Sequence, residues 1–387
     1  MKRSAGLFLL LSLAAAALAQ GPAGRGAAPP PDTLLSPEVH PDRTVTFRLR
    51  APKATDVKVT GEWMLDYPSS KLPLSKDAEG VWSVTVGPLA PNVYLYSFNV
   101  DGMEIADPIN PTIKLRARTS ASLVLVPGGQ PWEFGDVPHG SVNIVWHKSA
   151  VLDGAMRQVF VYTPPGYGKN LAARYPVLYL LHGNQDVAAG WTLTGNANFI
   201  LDSLIARKRA VAMIVVMTNG HAVPYGTPAE PGRNNELFEQ YLLREVVPMV
   251  EANYRVAPGR VNHAIAGLSM GGGQATQIGL GHLDLFAWVG IFSSGQAQNF
   301  ETRYKALLDD PKATNERLKL LFIGVGKTDP GYERVKQFDA LLTAHKIRHI
   351  YWETEGAHVW PVWRKCLVET ASRLFQQSPA QASEPRM

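Results

Sequence analysis

The chain has 387 residues, of which 45% are hydrophobic and 18% charged, so it can bury one large core or two smaller ones. Its net charge of +5 is too small to indicate nucleic-acid binding. The single cysteine, Cys366, excludes an intrachain disulfide, and stability must come from packing.

The N-terminal residues have the pattern of a secretory signal. Lys2 and Arg3 precede an apolar run from Leu7 to Leu18, and small residues up to Ala19 offer a cleavage site. The run is too short for a good membrane anchor. We therefore expect residues 1–19 to be removed, leaving a secreted or periplasmic protein of net charge +3 with no membrane association. Residues 20–34 contain three consecutive prolines and little to bury, which predicts a disordered linker.

Residues 35–127 have the pattern of an antiparallel, immunoglobulin-like β-sandwich. Short alternating runs such as "TVTFRLR", "GVWSVTV" and "VYLYSFNV" are separated by turn segments such as "KDAEG" and "APN". Residues 128–139 are rich in glycine and proline, which predicts a linker to a second domain.

Residues 140–378 show a different pattern, in which apolar, β-branched runs are separated by segments with helical spacing. This pattern predicts an α/β domain, with a mostly parallel sheet covered by helices on both faces. Pro248 should kink or restart the helix that precedes it. We expect residues 379–387 to form a disordered tail and a fragment beginning near Gly140 to fold by itself.

The segment "GLSMG" places Ser269 between a predicted strand and a predicted helix. Gly-x-Ser-x-Gly in this context is typical of a nucleophile elbow, a sharp turn that exposes the serine hydroxyl. A hydroxyl is a poor nucleophile unless a base removes its proton, and in this fold the carboxylate and histidine follow the serine along the chain. Asp329 and His358 each follow a later strand. We therefore predict Ser269 as nucleophile, His358 as base and Asp329 as its orienting acid.

The oxyanion hole requires backbone N–H groups that point at the tetrahedral oxygen. We expect one from Met270, directly after the nucleophile, and one from Asn184, in the turn after an early apolar strand. The sequence contains no metal-binding motif, so the predicted site uses no metal and no cofactor.

Four separate motifs carry a resemblance to a known family. "LYLLHGNQDVAAGW", "GLSMGG", "FIGVGKTD" and "GAHVWPVWR" resemble the esterase D-type α/β-hydrolases, and within them carbohydrate esterase family 1, which includes feruloyl and acetyl xylan esterases. The resemblance implies the same Ser269, Asp329 and His358. In the front segment, "VTFRLRAPKATDVKVTGEWM" and "GVWSVTVGPLAPNVYLYSFNVDG" resemble carbohydrate-binding module family 48.

The function expected from this resemblance is that of a secreted serine esterase removing feruloyl or acetyl groups from plant polysaccharide such as xylan. Its partner would be a polysaccharide-linked or small aromatic ester; the sequence leaves the oligomeric state open. Trp191, His221 and Trp360 lie beside the motifs and are candidates to bind that substrate. One alternative is a siderophore esterase of the enterochelin type, since such enzymes also join a front sandwich to this hydrolase. Another is a glycan-binding protein with an inactive hydrolase scaffold.

Overall fold

The computed structural model describes residues 33–295 and 299–376. The predicted signal (1–19), all but the last two residues of the predicted linker (20–34) and the predicted tail (379–387) lie outside the described residues. From Leu35 onward the described residues form one compact unit. No helix in this part of the chain combines the length and the apolar character that crossing a membrane requires.

Ten strands of the described chain form the front sandwich, in two sheets whose neighbouring strands are all antiparallel. They are β1 (Glu38–Val39), β2 (Val45–Arg50), β3 (Val57–Gly61), β4 (Leu72–Pro73), β5 (Ser75–Lys76), β6 (Val81–Val86), β7 (Asn92–Val100), β8 (Met103–Ile105), β9 (Ile113–Leu115) and β10 (Ser120–Val126). One sheet has the order β1-β2-β6-β5, and the other β4-β3-β7-β10-β9 with β8 beside β7. The predicted sandwich is confirmed.

Strand β7 is buried on both faces. Tyr94, Tyr96 and Phe98 face the core between the two sheets. Val93 and Leu95 point the other way, because successive side chains of a strand alternate, and pack in the core of the second domain. The sandwich and the second domain therefore share a hydrophobic core.

The second domain is built on an eight-stranded sheet of order β11-β12-β14-β13-β15-β16-β17-β18. The first two pairings are antiparallel and the other five are parallel, which confirms the predicted mostly parallel sheet. The strands are β11 (Ser141–Lys148), β12 (Met156–Thr163), β13 (Val177–Leu181), β14 (Ile214–Thr218), β15 (His263–Leu268), β16 (Trp288–Phe292), β17 (Leu320–Gly326) and β18 (Ile350–Thr354).

Helices cover both faces of this sheet. They are α1 (Gly190–Leu193), α2 (Ala197–Ala206), α3 (Arg233–Tyr241), α4 (Val247–Asn253), α5 (Met270–Gly281), α6 (Phe300–Arg303), α7 (Lys305–Asp309), α8 (Pro311–Arg317), α9 (Tyr332–Ala344) and α10 (Trp360–Ala371). Helices α2 and α10 pack on one face, and α5 and α9 on the other. A π-helical turn, Leu242–Val246, separates α3 from α4, and Pro248 lies in the first turn of α4, as a restarted helix requires.

Buried polar groups join α10 to the sandwich. Arg364 is fully buried, and its Nη1 donates to Asn92 Oδ1 at 3.0 Å and to the carbonyl of Val93 at 2.8 Å. Glu62 of the sandwich accepts the N–H of Trp360, the first residue of α10, at 3.0 Å. Because breaking such contacts would leave buried donors without acceptors, the two domains are held in one arrangement.

Candidate active site

Ser269 occupies a strained turn between β15 and α5. Its backbone angles are φ 53° and ψ −116°, a conformation that non-glycine residues rarely adopt. The flanking glycines permit the turn: a Cβ on Gly267 would lie 2.3 Å from the carbonyl oxygen of Gly271, and one on Gly271 would lie 2.6 Å from that of His182. The sequence forms an elbow here because only glycine fits at both positions.

The structure brings Ser269, His358 and Asp329 into one hydrogen-bonded chain. His358 Nε2 lies 2.9 Å from Ser269 Oγ, and His358 Nδ1 lies 2.8 Å from Asp329 Oδ2. Asp329 follows β17 and His358 follows β18, so the three side chains meet at the carboxyl ends of parallel strands. Since an ionised carboxylate only accepts, Nδ1 carries the proton and Nε2 is free to accept the serine hydroxyl.

The environment keeps Asp329 ionised. The carboxylate is buried, and burial alone would raise its pKa. Hydrogen bonds from His358 and from the Gly331 N–H, the latter at 2.8 Å, outweigh burial and place the pKa of Asp329 below its ordinary value. His358 is more open, with 37% of its side chain exposed, so a substrate and water can reach it.

The two residues predicted to form the oxyanion hole line one cleft of about 520 Å³. Met270 is the first residue of α5, where the N–H groups of a helix have no acceptor within the helix. Asn184 follows β13 in a turn that packs on the elbow, because a Cβ on Gly183 would lie 3.5 Å from Ser269 Cβ. One N–H therefore belongs to the helix start directly after the nucleophile, and the other to a turn that borders it.

Two histidines lie close together here: His221 lines the cleft, and the ring centre of His182 lies 5.5 Å from that of His221. His182 is buried, and its Nε2 accepts the Gly220 N–H at 2.9 Å while Nδ1 lies 2.8 Å from the Gly183 carbonyl, so the neutral ring ties two strand-end loops together. His221 lines the cleft as predicted for a substrate-binding candidate, and burial, with His182 and Arg157 nearby, lowers its pKa to about 4. Among the described residues, its Nε2 has no hydrogen-bond partner.

The prediction that Trp191 and Trp360 bind substrate is corrected. Trp191 is 0% exposed and Trp360 1%, and their rings pack edge to face at 5.1 Å. The Trp191 Nε1–H donates to the carbonyl of Leu181, and neither ring lines the cleft. Both tryptophans are core residues: Trp191 lies on α1 and Trp360 begins α10, and they belong to the buried cluster that also contains Val93 and Leu95 of the sandwich.

Sequence reasoning missed most of the cleft wall, including Arg118 and Tyr225. Arg118, in the turn between β9 and β10 of the sandwich, places its guanidinium 5.1 Å from the ring centre of Tyr225. Tyr225 lies in the glycine- and proline-rich segment after β14, a pattern that indicates a loop but no role. Nothing in the sequence around Arg118 indicates that the sandwich reaches this cleft.

Known proteins resemble this chain over both domains. A family model described as a putative esterase matches residues 149–374, and one described as carbohydrate-binding module 48 (isoamylase N-terminal domain) matches residues 35–113. An endo-1,4-beta-xylanase/feruloyl esterase of Xylanibacter ruminicola is 32% identical over 350 residues, which are 88% of this chain and 46% of that protein. The chain spans less than half the length of the curated relatives it matches.

Two solved structures extend the likeness to the fold. A ferulic acid esterase is 28% identical and superposes with a TM-score of 0.53 over 61% of this chain and 98% of its own. The enterobactin esterase FES of Shigella flexneri, at 21% identity, superposes with a TM-score of 0.64 over 86% of this chain and 93% of its own, which shows a shared fold. The resemblance drawn from the sequence motifs is confirmed: the chain belongs to the esterase family and joins an α/β-hydrolase domain to a front segment that matches carbohydrate-binding module 48.

Proposed function

We propose that the chain is a serine carboxylic ester hydrolase that removes feruloyl or acetyl groups from plant cell-wall polysaccharide such as xylan. One observation carries the chemistry: the hydrogen-bonded chain from Ser269 through His358 to Asp329, set on a strained elbow. The substrate class rests on likeness to the xylanase/feruloyl esterase and to the ferulic acid esterase.

The proposed reaction has two halves. Ser269 Oγ attacks the ester carbonyl while His358 Nε2 takes its proton, and the N–H groups of Met270 and Asn184 stabilise the oxyanion. His358 then gives the proton to the leaving sugar oxygen, and the acyl group stays on Ser269. In the second half His358 removes a proton from water, which attacks the acyl carbonyl; the bond to Ser269 Oγ then breaks, His358 returns the proton to Oγ, and the acid is released. Asp329 stabilises the imidazolium in both halves.

The cleft wall suits an aromatic acyl group. Tyr225, with Arg118 over its ring, contributes aromatic and cationic groups to the wall, while Met270 adds apolar surface next to the nucleophile. The secretory pattern of residues 1–19 supports action outside the cytoplasm, where plant polymers are found.

The test measures the hydrolysis of three substrates by the same protein: methyl ferulate, acetylated or feruloylated xylan, and a catecholate siderophore. We expect methyl ferulate and acetylated or feruloylated xylan to be hydrolysed and Ser269→Ala to lower turnover about a millionfold without loss of fold. Preferred cleavage of a catecholate siderophore would instead identify the siderophore-esterase alternative. A Ser269→Ala variant with a tenth of wild-type activity would refute the nucleophile. The alternative of an inactive glycan-binding scaffold predicts no turnover, and the assembled triad counts against it.

A further inference from the structure

The sandwich contacts the turn that carries Asn184, which we call the oxyanion loop (residues 183–186). Lys114, on β9, places its Nζ 2.6 Å from Asp186 Oδ1, and only 6% and 4% of these two side chains are exposed. Three residues later, the N–H of Ala117 donates to the carbonyl of Gln185 at 3.0 Å. The sandwich therefore contacts two consecutive residues of the oxyanion loop, Gln185 and Asp186.

The same loop packs on the nucleophile. The Asp186 N–H donates to the Gly183 carbonyl at 3.0 Å, which closes a tight turn around Asn184. Gly183 packs closely on the end of β15, because a Cβ there would lie 2.6 Å from Leu268 Cδ1 and 3.5 Å from Ser269 Cβ. A shift of Asp186 would therefore move the Asn184 N–H relative to Ser269.

A buried ion pair is a precise way to fix such a loop. Withdrawing both charges from water is costly, so the pair adds little net stability, but the attraction between the two charges is strong at low local polarity. Lys114 Nζ also lies 5.5 Å from the ring centre of Trp360, two residues after His358. Lys114 is therefore packed between the oxyanion loop and the start of α10.

We infer that Lys114 is a positioning residue for ester hydrolysis: through Asp186 it holds the Asn184 N–H where the oxyanion forms. The inference rests on the proposed serine esterase function. It assigns the sandwich a role in the chemistry of the second domain, separate from any binding of glycan.

The test is the steady-state hydrolysis of methyl ferulate by the full chain. We expect Lys114→Met to lower kcat at least tenfold and to leave KM within about twofold, because an oxyanion contact is made in the transition state and not in the bound ester. Lys114→Arg keeps the charge and should recover part of the loss. The matched control is Lys58→Met, which breaks an exposed sandwich pair with Asp56 and should leave both constants unchanged.

Lys114→Met leaves Asp186 buried without its partner, which can impair folding. The double variant Lys114→Met/Asp186→Asn removes both charges, and we expect it to melt close to the wild type while kcat remains at least tenfold low. A folded variant of either kind with wild-type kcat would overturn the inference, as would an effect confined to KM. If Ser269→Ala is inactive in the same assay, such a result refutes only the role inferred for Lys114. If Ser269→Ala is active, the proposed serine esterase function is itself refuted.

Discussion

Asp329 pairs with His358, and Asp339, on α9, makes the same kind of pair with His349. Asp339 Oδ1 lies 2.7 Å from His349 Nε2. We expect Asp329→Asn to fold and to lower kcat by about ten-thousandfold, because the amide favours the wrong tautomer of His358 and cannot stabilise its charge. Turnover of a nitrophenyl ester measures the loss.

Asp339→Asn is the matched control for this substitution, since it breaks the same kind of pair away from Ser269. It should keep turnover close to that of the wild type. If Asp339→Asn were the crippling change and Asp329→Asn the harmless one, the assignment of the acid would be wrong.

His221 makes stability depend on pH. Its pKa of about 4 in the folded protein lies below its ordinary value of 6.5, so the unfolded chain binds more protons between these two pH values. Stability is therefore full above pH 6.5 and falls toward pH 4. From this group alone we expect the free energy of unfolding to be about 2 kcal/mol smaller at pH 5 than at pH 7.5.

Urea denaturation of the wild type and of His221→Gln at both pH values checks the prediction. The variant should lose much of the pH dependence, although not all of it, because burial also lowers the pKa of His182. An unchanged difference between pH 5 and pH 7.5 in His221→Gln would contradict it.

At the scale of single residues, sequence reasoning placed the nucleophile, base and acid together because each follows a strand, and parallel strands end at one edge of a sheet. The same rule could not place Trp191 or Trp360. Their motifs lie beside the catalytic ones, but their exposure depends on what packs over α10, and Glu62 and Arg364 show that the sandwich does. Contacts between distant segments leave no local pattern.

Among the elements, the contact of the elbow with the end of β13 leaves no room for added volume. A Cβ on Gly271 would meet the carbonyl oxygens of His182 at 2.6 Å and Leu181 at 2.7 Å, and backbone atoms yield little. We expect Gly271→Ala to push the oxyanion loop away from Ser269, which should lower kcat at least tenfold and lower the melting temperature.

Gly281, at the last position of the same helix, is the control for this prediction. A Cβ there meets nothing within 4 Å, so Gly281→Ala should retain turnover and be equally or slightly more stable, by up to about 1 kcal/mol. If Gly271→Ala and Gly281→Ala changed the melting temperature and the turnover equally, the volume added at Gly271 would not be the cause of the loss.

The order of helices and strands follows from hydrophobic patterns, and strand β7 shows what such patterns can and cannot predict. Its segment "VYLYSF" is apolar at nearly every position, whereas a strand with one solvated face alternates. The pattern is that of a strand covered on both sides, and Val93 and Leu95 are indeed covered by the second domain. The partner on that side could not be named from the pattern, because it comes from α10, more than 250 residues away.

For the whole molecule, the glycine- and proline-rich stretch at 128–139 looks like a flexible boundary, yet Trp132 within it is buried and its carbonyl accepts Asn196 Nδ2 at 2.9 Å. Composition predicts where a chain turns. It does not predict whether the turn is packed, since packing depends on shape complementarity between surfaces that form only after folding. Composition alone predicts that a fragment beginning at Gly140 folds by itself. The hydrophobic core that the sandwich shares with the second domain reverses that expectation.

We expect a fragment that begins at Gly140 to aggregate or to lose activity equally on methyl ferulate and on feruloylated xylan. Removal of the sandwich exposes apolar side chains that lie against Val93 and Leu95, and it takes Lys114 from the oxyanion loop and Glu62 from the start of α10. Size-exclusion chromatography, circular dichroism and both assays measure the outcome. A monomeric, folded fragment that cleaves methyl ferulate at the wild-type rate but fails on xylan would show instead that the sandwich serves the polymer alone, through local concentration and orientation.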